Sequence, residues 1–286
     1  MTVGNGLGDG TREPVDIKAE MRLAVDSLHS QTHKKDSMTS DLSIDEELNL
    51  HSIGWEPVEL VCGVSLYSVP MGVWNWGQGE ISWASAAYAH AFEGAIARIH
   101  RECAKAGGHG VVGVRVERSI HRHHVDVALL GTAVRPVGAR RVDAAQVFVS
   151  DLSARDFTLL HVSGWQPLGL AVGASFVYAP RRSLGTAMQQ KSQNVELTNF
   201  TEAMYSARES AMERMQSSAL GMAGTGVVEV KVTEGPMDFA RHAVGFAAWG
   251  TVVRLAGGSH RTLRPSMVVP LDDPRAAFEA TALRGK

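Results

Sequence analysis

Residues 41–65 return in altered form at residues 151–175, and every match keeps a single offset of 110. Asp41-Leu42-Ser43 becomes Asp151-Leu152-Ser153, and Leu50-His51 becomes Leu160-His161. Gly54-Trp55-x-Pro57 becomes Gly164-Trp165-x-Pro167, while Leu60, Gly63 and Ser65 become Leu170, Gly173 and Ser175. Self-similarity at a fixed offset signals a duplicated folding unit. It restricts the chain to two like modules and supplies an internal control. A residue kept in one copy alone is not required by the fold that both copies share.

Each repeat opens with a helix signal. Ser43 followed by Glu46 has capping-box spacing, in which the hydroxyl accepts from a free amide and the carboxylate reaches back. Ser153 and Asp156 occupy the matching places. Gly54 and Gly164 sit where a left-handed residue ends a helix, and Pro57 and Pro167 follow where a helix cannot continue. Residues 58–67 and 168–178 are rich in β-formers and mostly apolar, so they read as buried strands. Gly63 and Gly173 interrupt both at one place, which marks a bulge or a close backbone approach.

After a variable loop the offset grows to 116, with Glu93, Ala95 and Arg98 matching Glu209, Ala211 and Arg214. A long helix is expected over 84–106 with an apolar stripe of Phe92, Ile96, Ile99 and Cys103. Its partner over 199–220 uses Met204, Met212, Met215 and Ala219. Two strands close each repeat, at 110–116 and 125–135 and again at 226–232 and 242–255. The last pair shares Gly131-Thr132-x-Val134 and Gly250-Thr251-x-Val253, at an offset of 119.

The expected fold is therefore α+β. It has two tandem two-layer units, each short helix–strand–long helix–strand–strand, with a three-stranded antiparallel-type sheet covered by one helix. The plan is an N-terminal extension and linker over 1–40, with a short helix at 17–28. The first repeat is 41–136, a linker 137–150, the second repeat 151–256 and a tail 257–286.

The segment Gly107-Gly108-His109-Gly110-Val111-Val112-Gly113-Val114 resembles the helix-to-strand junction of the YbjQ-like family, often labelled a heavy-metal-binding domain. Residues 207–215, Ala-Arg-Glu-Ser-Ala-Met-Glu-Arg-Met, are similar to that family's long helix. The closing Gly-Thr-x-Val tetrapeptides resemble its last strand, and the tandem openings resemble two-copy actinobacterial members. The resemblance implies units that assemble through their strands into a five-membered ring. With two units per chain, it implies five chains in stacked rings. It transfers no metal ligand. The second copy departs from it at Glu229, where the first has Gly113.

Composition narrows the function classes. A formal net charge of -2 gives no basic field for nucleic acid or an anionic membrane surface. No apolar run reaches bilayer length, and residues 1–14 lack a signal pattern, so a cytoplasmic protein is expected. The two cysteines, Cys62 and Cys103, match Val172 and Ala219, so buried free thiols are expected rather than a disulfide or metal site.

Among chemical candidates, His121-Arg122-His123-His124 is the densest. His121 and His123 would share one side of a strand and, with His124 and Asp126 nearby, suit zinc, nickel or copper. The plainer reading is a solvated hairpin tip, since the second copy lacks the cluster. His90, Glu93 and His100 share one side of the long helix, where a polar surface face is the favoured reading. His51 and His161 end the short helices in both copies and suit helix C-terminal charge. Trp74, Trp76 and Trp83 lie in the loop where the second copy has Arg181 and Arg182, and these form a candidate partner surface. Residues 221–226 are glycine-rich but follow a helix and precede a strand, the wrong order for cradling phosphate. No zincin motif, nucleophile elbow or Cys-x-x-Cys is present. The expectation is a non-enzymatic, homo-oligomeric assembly or binding protein with no firm cofactor and an unidentified protein or small ligand as partner. Heavy-metal binding or sensing by the histidine cluster, with a divalent transition metal, is the alternative.

Overall fold

The computed structural model describes residues 39–68, 79–120, 124–179, 197–237 and 240–257. The compact unit that holds them begins at Thr39. The helix expected at 17–28 and the tail beyond Gly257 lie outside the described residues.

In the first half, α1 (Ile44–Ser52) leads to β1 (Trp55–Ser68), β2 (Gly79–Glu80), α2 (Ser82–Ala106), β3 (Gly110–Ile120) and β4 (His124–Pro136). A 3-10 turn (Ala144–Gln146) and β5 (Phe148–Val149) precede α3 (Ala154–Val162), β6 (Trp165–Tyr178), α4 (Thr198–Gly221), β7 (Gly226–Met237) and β8 (Ala240–Leu255). The capping box at Ser43 and Glu46 is formed, and Ser153 caps α3 through the Asp156 amide. Gly54 and Gly164 adopt left-handed φ of 75° and 85° just past α1 and α3.

Two four-stranded sheets result, ordered β1-β4-β3-β5 and β2-β6-β8-β7. Their principal pairs are antiparallel and share a register. Trp55 faces Pro136 as Trp165 faces Leu255, and both ladders shift beside the proline, between Pro57/Glu59 and Pro167/Gly169. A proline contributes no amide to a ladder, so a bulge there loses nothing. The second irregularity falls at Val112/Arg115 and at Val228/Lys231, where Gly113 and Glu229 take φ of 66° and 52°. The charge at Glu229 therefore leaves the bulge in place, and Glu229 turns to Lys231 at 3.3 Å.

The expectation of two separate three-stranded sheets needs correction. The fourth strand of each sheet comes from outside the expected three. β5 lies in the expected linker 137–150 and pairs in parallel with β3, and β2 leaves the first half to pair with β6. Extended residues next to a strand edge satisfy their amides by joining it, whichever repeat they come from.

The Asp that opens each repeat is tied to the Thr of the closing Gly-Thr. The Asp41 amide donates to Thr132 Oγ1 at 3.1 Å, and the Asp151 amide to Thr251 Oγ1 at 3.1 Å. A basic residue completes each knot, with Arg115 2.7 Å from Asp41 and Lys231 3.2 Å from Asp151. Burial opposes charge on Lys231, yet Asp151 and Glu229 together hold its pKa above the ordinary lysine value.

The helix stripes also differ from the expectation. α4 buries Ala203, Ala207, Ala211, Met215 and Ala219, with Met204 and Met212 only partly covered. α2 buries the matching Ala87, Ala91, Ala95, Ile99 and Cys103, and in addition Tyr88 and Phe92. Small residues line the seams because helix and strand touch at glycine. A Cβ on Gly63 would lie 2.2 Å from Ala95 O, and one on Gly173 would lie 2.0 Å from Ala211 O. Both clashes are with backbone, which cannot step aside. Gly63→Ala and Gly173→Ala are each expected to cost about 3 kcal/mol by forced separation of helix from sheet. Urea unfolding of the two variants checks this, and a loss below about 0.5 kcal/mol would contradict it.

Candidate functional site

The two faces of β6 are both covered. Leu170, Ala174 and Phe176 join the core under α2, while Ala171 and Val177 join the core under α4. The layers therefore run first sheet, α2, second sheet, α4. Tyr88 on α2 packs edge-on to Phe176 at 5.7 Å, and Phe92 lies 6.5 Å from Trp249. Arg118 places its guanidinium 5.8 Å from the Tyr88 ring and 5.7 Å from the Trp249 ring. Burial drives the Tyr88 hydroxyl pKa well up, with Arg118 opposing.

One polar cluster locks this arrangement. Glu80 of β2 takes a bidentate pair from Arg214 of α4, with Nη2 2.8 Å from Oε2. Ser85 Oγ donates to Glu80 at 2.7 Å and Ser175 Oγ at 3.2 Å. Arg214 also donates to Ala174 O, and the Ile81 amide to Phe176 O, each at 2.6 Å. The Arg214 bond is the main reason that the Glu80 carboxyl lies below its ordinary value.

Beside the cluster, a cleft of about 790 Å³ opens between α2 and β6, with walls that include Ala89, Phe92, Leu170 and Val172. His100 also lines it. Its Nε2 is shut off from solvent with no hydrogen-bond partner among the described residues, and burial lowers its pKa. The expected polar triplet on α2 is thus divided. His90 and Glu93 meet at 3.1 Å on the exposed side, whereas His100 is partly enclosed. The walls are mostly apolar, with His100, Glu93 and Arg214 among them, and a space of this size and character accommodates an apolar side chain or small molecule.

The outer face of the first sheet is covered at one end, where Leu50 of α1 and Phe157 of α3 pack on Val112 and Val134, and is open at the other. Val64 and Leu66 on β1 are 43% and 52% exposed, although their counterparts Ala174 and Phe176 are buried. Sequence reasoning missed this patch because β1 and β6 look alike as strings. The one available signal was that Val64-x-Leu66 and Ala174-x-Phe176 are both apolar, which shows a face needing cover without showing what covers it.

Of the expected site residues, His121, His123, Trp74, Trp76, Arg181 and Arg182 lie outside the described residues. His124 opens β4 with Nε2 3.6 Å from Asp126 Oδ1. Among the described residues, no group of three or more His, Cys, Asp or Glu side chains is placed to hold a metal. Trp83 sits in the first turn of α2, half-buried against the core between the halves. His51 and His161 occupy the last turns of α1 and α3, and His161 packs against Trp55 at 6.1 Å. Cys103 is buried, its thiol pKa pushed up to about 12, while Cys62 is only half-buried; both are free. No helix among the described residues is long and apolar enough to cross a membrane.

Comparison with known proteins supplies the family. Over 248 residues the chain is 37% identical to "Encapsulin nanocompartment protein Rv1762c" of Mycobacterium tuberculosis (strain ATCC 25618 / H37Rv), a span of 84% of this chain and 94% of that protein. The chain belongs to the family of this encapsulin nanocompartment protein. No family model matches the chain. No solved structure matches it either. The encapsulin relationship corrects the YbjQ-like resemblance, and the heavy-metal-binding label falls with it. The motifs behind that resemblance are helix-to-strand junctions whose glycines serve local geometry, with φ of 88° at Gly107 and 66° at Gly113. Such junctions arise wherever a long helix hands over to a bulged strand.

The Glu80 cluster generates a pH prediction. A carboxyl whose folded pKa is depressed contributes stability above its unfolded value, here about 4.5, and loses it as pH falls further. Glu80→Gln is expected to cost about 1 kcal/mol at neutral pH and to flatten the acid limb below pH 4.5. Urea midpoints between pH 3 and 7 check both, with parallel curves counting against the assignment.

Proposed function

We propose that this protein is a non-enzymatic structural subunit that associates with copies of itself to build the wall of a protein compartment in the cytoplasm. The observation that carries the reading is the 37% identity over 248 residues to an encapsulin nanocompartment protein. Two physical features support it. The strands β1 and β7 stand at sheet edges over 14 and 12 residues, and the first sheet leaves Val64 and Leu66 open. Long edges and uncovered apolar faces are costly for an isolated chain and suit one that is covered by neighbours.

We read the architecture as two tandem copies of one α+β unit, stacked in the same direction and joined by β2, which pairs with the second sheet. The matching registers and the paired Asp–Thr knots support that reading. The five-fold ring rested on the YbjQ-like resemblance and is not carried forward, so the copy number is left to measurement. Native mass measurement with electron microscopy of the purified protein tests the function. Closed particles many times the 30.7 kDa of one chain are the expected outcome. A single species at the mass of one or two chains would overturn it.

A further inference from the structure

We infer that the outer face of the first sheet receives α4 of a second copy of this chain, repeating between chains the contact that α2 makes with the second sheet within one chain. The inference deepens the self-assembly reading above and rests on it.

The argument is an asymmetry between equivalent positions. In the second half, the face carrying Leu170, Ala174, Phe176, Ala247 and Trp249 is buried against α2. The same face of the first half carries Leu60, Val64, Leu66, Ala128 and Leu130 as an apolar strip, with Asp126 opposite Leu66 and Glu117 opposite Ala128 at its margin, and Leu66 is 52% exposed where Phe176 is 2% exposed. Among the described residues, α1 and α3 cover only the Val112 and Val134 end of this face, away from Val64 and Leu66. Among the described residues, the stack thus begins with a sheet face open around Val64 and Leu66 and ends with a helix whose outer side has no sheet against it.

The helix end shows the complementary deficit. Ile81, which precedes α2, is fully buried and donates its amide to Phe176 O. Leu197 precedes α4 at the equivalent place and is 45% exposed. The edge of β6 is capped by β2 at Val177 and Tyr178, whereas Tyr67 and Ser68 of β1 have no outer strand among the described residues. Arg214 holds Glu80 across the internal contact, and its counterpart Arg98 has no carboxylate partner among the described residues. One surface lacks a helix, the other lacks a sheet, and the chain already contains the solved version of their union. Arg208 stands where α2 has Phe92, so the contact between chains is more polar at its centre than the internal one.

Such a contact is heterologous, since the two surfaces differ, and it propagates until it closes. Two single variants separate its ends. Leu66→Asp blocks the sheet face and Leu197→Asp blocks the helix end, where an aspartate also suits a helix N-cap. Native mass, with circular dichroism melts to confirm folding, should give the 30.7 kDa monomer for each variant alone. Mixed together they should give a dimer and nothing larger, because each retains one intact surface. A Leu66→Cys/Leu197→Cys variant should yield a ladder of disulfide-linked chains on mild oxidation, with neither single cysteine variant doing so. This measurement stands even if an aspartate variant fails to fold. Wild-type-sized particles from folded Leu66→Asp, or no ladder from the double-cysteine variant, would overturn the inference while leaving self-assembly intact. A monomeric wild type would instead overturn the reading it rests on.

Discussion

The contact of α2 with the second sheet organises this molecule. Tyr88 and Phe92 leave the first half and fill the face of β6 and β8 that carries Phe176 and Trp249. Burying aromatic side chains of this size stabilises by several kcal/mol between them. Without that contact, α2 would cover only its own sheet, and the second sheet would expose the face that the first sheet exposes now. The Glu80 cluster follows from the same contact. β2 must run along the edge of β6 for Ile81 to reach Phe176, and this brings the carboxylate to Arg214.

A helix can serve two sheets only if it fits closely on the first. Ala87, Ala91, Ala95 and Ile99 lie along the seam with β1, and Gly63 lets the backbones meet. That economy of space on one side leaves the neighbouring side, with Tyr88 and Phe92, free for the large residues. In α4 the same alanine seam is kept, but the neighbouring side carries a partly buried Met204 and an exposed Arg208. The difference between the two helices is therefore sharpest at positions that α2 packs against the second sheet, Tyr88 and Phe92, where α4 has Met204 and Arg208.

Much of the local structure was legible in the sequence. Ser43-x-x-Glu46 names its own helix start, Gly54 and Gly164 name two helix ends, and the strands expected at 58–67 and 168–178 fall within β1 and β6, which begin three residues earlier at Trp55 and Trp165. These depend on backbone rules that act over a few residues. The seam was read in part: Ile99, Cys103, Met215 and Ala219 lie on it, but Phe92, Ile96, Met204 and Met212 were chosen by size, whereas a close helix–sheet approach selects for smallness and fills the rest of it with alanine. β5 and β2 were missed because two-residue strands carry no periodicity. The candidate surface was not legible at all, since Leu66 and Phe176 look equivalent until their surroundings are known.

By itself the sequence determined the two-copy pattern, the capping and stop residues, and the equivalence of Asp41 with Asp151, Thr132 with Thr251 and Gly63 with Gly173. Each rests on short-range stereochemistry or on a repeated string, and both survive in one dimension. Only the tertiary structure decided that α2 lies between the sheets, that Glu80 meets Arg214 across 134 residues, and that one apolar face is filled while its twin is open. Burial belongs to what stands opposite a residue, and that is settled by packing between distant segments, which no local rule encodes.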